Sequence, residues 1–80
     1  MSNVSLEVFL KECINDLEIE NEIQPTFPLR ELPEYDSMGK ITLSLTIERL
    51  FDYEVPYDVL DKLETLKLIY EHCIINTKSD

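Results

Sequence analysis

Apolar residues recur with helical spacing over most of this chain, and the places where the spacing fails mark its boundaries. The clearest run covers residues 3–19. There Leu6, Phe9, Leu10, Cys13, Ile14 and Leu17 follow the i, i+3, i+4, i+7 pattern, leaving Glu7, Lys11, Glu12 and Asp16 outside. Ser2, Asn3 or Ser5 can cap this helix, which is expected to fray near Ile19 or Glu20. Periodicity then disappears from Asn21 to Asp36, where Pro25, Pro28 and Pro33 accumulate. A connection of this length without elements is unusual in a small domain, so it must lie across the bundle, anchored by Ile23, Phe27, Leu29 and Leu32.

Residues 38–51 carry two contradictory patterns. Ile41-Thr42-Leu43-Ser44-Leu45-Thr46-Ile47 alternates apolar and polar and is rich in β-branched residues, the signature of a strand. As a helix, the same stretch sets Met38, Ile41 and Leu45 in one row and Leu43, Ile47, Leu50 and Phe51 in another, giving one broad apolar face. No second strand pattern exists, and an isolated strand leaves its backbone groups unpaired. The helix is therefore expected.

Asp52 to Val55 breaks the pattern, and Pro56 suits the first turn of a short helix, 57–63, presenting Val59, Leu60 and Leu63. Glu64-Thr65 then caps a last helix with Leu66, Ile69, Tyr70, Cys73 and Ile74 on its stripe. His72 falls off that stripe, as a surface residue with no partner, and residues 76–80 read as a frayed polar tail. The fold class is all-α, a small four-helix bundle with a long first loop and a short third helix. Residues 1–80 form a single domain.

Charge narrows the partners. Seventeen acids against seven bases give a net charge of −10. That disfavours nucleic acid and anionic membranes, and favours partners with basic docking surfaces. No apolar run approaches the roughly 18 residues of a membrane span, and no basic region followed by an apolar stretch opens the chain. A cytoplasmic monomer is expected. Cys13 and Cys73 fall on apolar stripes and read as buried reduced thiols; with one histidine they fall short of a metal site.

Catalytic arrangements are poorly supported. Ser37 has an acid beside it in Asp36, but the single histidine, His72, lies far along the chain and no Gly-x-Ser-x-Gly elbow is present. Gly39 is the only glycine, so no phosphate-binding loop exists. What remains is Ser37 itself. Leu32-Pro33-Glu34-Tyr35-Asp36-Ser37-Met38 places a serine where a helix begins, its hydroxyl toward solvent. Free backbone N–H groups and the positive end of a helix dipole favour a phosphate there.

With its flanks, this stretch resembles the acyl carrier protein family, in which the serine of an Asp-Ser-Leu motif carries 4′-phosphopantetheine. Phe27 and Leu32 precede the site, Asp36-Ser37-Met38 forms it, Phe51 and Val55-Pro56 follow the second helix, and Leu63-Glu64-Thr65-Leu66 opens the last. The resemblance covers roughly residues 4–75. It too places a helix after the serine, and a long first loop before it. Met38 stands where leucine is usual, a change that conserves volume.

The resemblance implies a carrier rather than an enzyme. A phosphopantetheinyl transferase would load Ser37, with Asp36 helping to position the site. The arm would hold acyl intermediates as thioesters for a loading ligase, acyltransferase or synthase. Met38, Lys40, Glu48 and Arg49 would be read by those partners on the second helix. In the family's fatty-acid-synthesis members several positions of that face are acidic; here Gly39, Thr42 and Arg49 occupy them. That favours a dedicated polyketide, lipid or related pathway. An aminoacyl or peptidyl carrier is the neighbouring alternative, and an unmodified acidic helical interaction module is the alternative of another class.

Overall fold

The computed structural model describes residues 4–77, and among these every regular element is helical. Helix α1 spans Leu6–Leu17, α2 Ser37–Phe51, α3 Tyr57–Lys62 and α4 Leu66–Thr77, with a 3-10 turn at Leu29–Glu31 inside the long loop. The strand-like stretch 41–47 lies wholly within α2. No helix is long and apolar enough to cross a membrane among the described residues.

Helix α1 begins where the Ser5 hydroxyl accepts a hydrogen bond from the Val8 N–H at 3.1 Å; Ser2 and Asn3 lie outside the described residues. Its end is closed, not frayed as the sequence suggested. Glu18 turns left-handed at φ 56°, its N–H donates to Asn15 O, and the Ile19 N–H donates to Ile14 O at 3.0 Å. This 6→1, 5→2 pairing satisfies two orphan carbonyls and folds Ile19 into the core, 7% exposed. Helix α2 ends more simply: left-handed Asp52 returns one hydrogen bond to Glu48 O.

The core forms where α1, α2 and α4 meet. Phe9, Cys13, Leu43, Ile47, Leu66, Ile69 and Cys73 are fully buried. Phe9, Phe51 and Tyr70 pack as a triangle with ring centroids 5.6–6.1 Å apart. The Tyr70 hydroxyl donates to Val4 O at 2.8 Å. Both cysteines are free and fully buried. Burial holds the Cys13 thiol far above its ordinary value and pushes Cys73 up to about 12, so neither is a nucleophile in the folded state.

The long loop is fastened rather than draped. Leu29 N–H donates to Glu64 O, and the Pro25 carbonyl accepts from Lys67 N–H, one of the orphan donors of α4. A second orphan, Leu68 N–H, is capped by the Thr65 hydroxyl. Leu29 and Leu32 are buried, with Ile23 and Phe27 half-buried against the core, so the predicted anchors are in place.

Three details depart from the sequence pattern. Ile74, assigned to the buried stripe of α4, is 37% exposed. His72 has partners: the Tyr53 hydroxyl lies 3.1 Å from its Nε2, and Asn76 packs beside it. Helix α4 continues through Asn76 and Thr77, where a frayed tail was expected, because both side chains bond carbonyls one turn back; residues 78–80 lie outside the described ones.

Candidate functional site

Two neighbouring residues divide the work at the start of α2. Asp36 is the cap: its extended backbone precedes the helix, and its Oδ1 accepts from the Gly39 N–H at 2.9 Å. Ser37 is therefore the first helical residue, exposed, with its hydroxyl left out of the capping. A serine that caps a helix spends its oxygen on a backbone donor, as Ser5 does. Ser37 does not have to.

Gly39 fixes how the loop meets this helix start. A Cβ at this position would lie 2.3 Å from the Glu34 carbonyl oxygen, so the loop backbone runs directly against the first turn. Glycine inside a helix costs about 0.5–1 kcal/mol. Here the close approach requires it. Gly39 is buried, and the sequence assignment of this position to a partner-facing surface is wrong.

Beside Ser37 opens a cleft of about 460 Å³. Leu29, Leu60 and Leu63 give it an apolar lining, and Arg30, Lys40, Asp61 and Glu64 its charges. Tyr35 also lines it. Its hydroxyl is the one buried side-chain polar atom without a hydrogen-bond partner among the described residues, and burial pushes its pKa up to about 12. A second cleft of about 440 Å³, between α1 and the start of the loop, is lined by no hydroxyl, thiol or imidazole. Ser37 and Tyr35 line only the first of these two clefts.

The expected recognition residues are scattered rather than gathered. Met38 is 68% exposed and Glu48 is exposed, as expected of surface residues. Lys40 points across the cleft into an ion pair with Asp61 of α3. Arg49 lies against α1, where its Nη2 donates to Glu12 Oε1 at 2.9 Å and Asp16 Oδ2 at 2.7 Å. The same Asp16 oxygen accepts from the Thr46 hydroxyl at 2.6 Å. The hydrogen bond from Thr46 and the Arg49 guanidinium hold the Asp16 carboxyl below the usual range. Both cations stand in exposed ion pairs within the molecule.

A larger correction concerns the apolar rows of α2. Leu43, Ile47 and Phe51 are buried as expected, but Ile41 and Leu45 of the other row point outward, at 43% and 60% exposure, on the same side as Met38. Polar Ser44 and Thr46 are buried instead. Sequence reasoning also missed Tyr35 and the α3 contribution to the cleft. An aromatic next to Asp-Ser was a readable signal for the first; Leu60 and Asp61 carried none, since folding alone brings them to Ser37.

No family model, curated protein or solved structure matches this chain.

Proposed function

We propose that the chain is a carrier of the acyl carrier type, with a 4′-phosphopantetheine arm attached to Ser37. The observation that carries this reading is the division of labour at the start of α2. Asp36 satisfies the helix end, so the neighbouring serine hydroxyl remains exposed and available for modification. The reading also rests on the resemblance of residues 32–38 and their flanks to that family.

The residues around Ser37 fit such a group. A phosphodiester on the first residue of a 15-residue helix sits at the positive end of its dipole. Arg30 and Lys40 line the adjoining cleft. The exposed Lys40–Asp61 pair is worth only about 0–1 kcal/mol, so Lys40 can exchange its carboxylate for a phosphate at little cost. An arm of alternating amides and methylenes needs apolar wall and isolated hydrogen-bonding groups. Leu29, Leu60 and Leu63 supply the wall, and the exposed Arg30 and Glu64 supply such groups. The arm itself would supply a terminal thiol for thioester chemistry. This chain positions, tethers and presents, which raises the local concentration of cargo at each docked enzyme.

A dedicated polyketide, lipid or related pathway suits the sparse acids on the outer face of α2, where Glu48 is the exposed carboxylate beyond the cap. An aminoacyl or peptidyl cargo fits the same site. The exposed row of α2 would equally suit an unmodified interaction module. Intact mass separates these: after incubation with coenzyme A and a broad-specificity phosphopantetheinyl transferase, the protein gains one phosphopantetheinyl group and Ser37→Ala gains none. An unchanged wild-type mass with several such transferases would leave only the interaction module.

A further inference from the structure

We infer that Tyr35 closes the inner side of the cleft beside Ser37, so that the cargo is a short, polar acyl group held outside the core; the inference deepens the carrier reading and rests on it. Tyr35 lines the cleft together with Ser37 and packs against the core cluster. Its hydroxyl is buried, so the ring runs inward from the cleft surface and ends inside the protein. Leu29 and Leu60, which also line the cleft, are each 1% exposed. They are the outer skin of the core, and Tyr35 is the side chain set through it.

The backbone on either side of Tyr35 is fixed. Its own N–H donates to Leu32 O at 3.1 Å, the Glu34 carbonyl bears on the first turn of α2 at Gly39, and Asp36 caps that helix. The loop is therefore held away from the space behind a smaller side chain, and shortening Tyr35 leaves a cavity open to the cleft. An apolar tail would gain from such a cavity in proportion to the area it takes out of water. With Tyr35 in place that space is filled, and what a cargo meets is the rim. Arg30 and Glu64 line it, exposed and in no ion pair among the described residues, with Lys40 and Asp61 paired beside them. Charges of both signs suit a cargo of few carbons that carries hydroxyl, amino or carboxyl groups.

The test is thermal melting of the protein loaded with acyl arms of increasing length. Acyl-coenzyme A and a phosphopantetheinyl transferase supply them: the Ser37 oxygen bonds to the donor's phosphorus, the hydroxyl proton passes to solvent, and adenosine bisphosphate leaves. From acetyl through butyryl to octanoyl the wild type should keep its Tm within about 1 °C. Tyr35→Ala should melt lower and regain at least about 4 °C along the same series, as the tail fills the space. Tyr35→Phe keeps the ring and should stay as flat as the wild type. Free para-cresol, a copy of the missing side chain, should raise the Tm of unloaded Tyr35→Ala and leave the wild type unchanged. Should the alanine variant not fold, Tyr35→Leu gives the same series with a smaller rise. On the wild type, a hydroxybutyryl cargo should move the backbone NMR signals of Arg30 and Glu64 more than butyryl does. A wild-type Tm that climbs with chain length, a flat Tyr35→Ala series, or the reverse order of NMR shifts would overturn the inference. Failure of the carrier reading has a different signature: the wild type takes no arm while para-cresol still restores Tyr35→Ala, and the cargo assignment would fall with it.

Discussion

Helices α1 and α2 begin, face and end differently, and on the carrier reading proposed above the differences separate a structural element from a presenting one. Ser5 caps α1 with its own hydroxyl; at α2 Asp36 caps and Ser37 is left free. Helix α1 has a single apolar stripe, with Phe9, Cys13 and Leu17 turned inward. Helix α2 buries Leu43, Ile47 and Phe51 yet keeps Met38, Ile41 and Leu45 outside, and it places Ser44 and Thr46 in the protein. Helix α4 likewise leaves Leu68, Ile74 and Ile75 exposed, so what sets α2 apart is the free hydroxyl at its start, which the carrier reading proposed above uses.

The two leucines of the alternating stretch test this contrast hardest. A strand would put Leu43 and Leu45 on one face; the helix puts them on opposite sides. Leu43→Ala should destabilise by about 2–5 kcal/mol in chemical denaturation. Leu45→Ala should stay within about 0.5 kcal/mol of wild type. Similar losses at both positions would break the comparison.

Gly39 comes next. Its added Cβ would press on the Glu34 carbonyl, so Gly39→Ala should cost about 1–3 kcal/mol although alanine is the better helix former. A stabilised variant would show that the loop does not bear on the start of α2.

The strut between α1 and α2 gives a smaller, pH-dependent effect. Asp16 has a depressed pKa in the folded protein, first through Thr46 and then through Arg49. Its contribution is complete above the ordinary value of 3.8 and is lost as pH falls through the lower folded value. Thr46→Val should cost about 1 kcal/mol near pH 6, the low side for a bond to a charged group because Asp16 is part-exposed, and the gap to wild type should narrow toward about pH 2. A constant gap would remove Asp16 from the account. Glu12 belongs to the same strut, since it too accepts from Arg49.

The smallest effects belong to the helix ends. Both α1 and α2 close on a left-handed, non-glycine residue, and aspartate tolerates that region better than glutamate. Glu18→Gly should raise stability by about 0.5 kcal/mol in thermal melts, more than Asp52→Gly does. The reverse order would mean that the side chain of Glu18 contributes something not visible in its contacts.

Much of this was legible in the residues. The stripe of α1, the loop anchors, the Pro56 start of α3 and the Thr65 cap each follow from local rules that tertiary packing did not override. Helix α2 was harder because its sequence satisfies two surfaces: a buried row and an exposed row, interleaved around one helix, read as alternation. The cleft was not legible. Ser37, Tyr35 and Lys40 are near in sequence, but Leu60 and Asp61 arrive from α3, and only the folded chain shows the Lys40–Asp61 pair across it. The partners of Arg49 were likewise invisible, since Glu12 and Asp16 lie a whole loop away.

The central claim is that the start of α2, unlike the start of α1, presents a hydroxyl for modification. Fragment mass spectrometry, after treatment with coenzyme A and a phosphopantetheinyl transferase, tests it within one molecule. The account predicts one phosphopantetheinyl group, on the fragment holding Ser37, with none on those holding Ser5 or Ser44. A group at Ser5, or no group on any fragment, would contradict it.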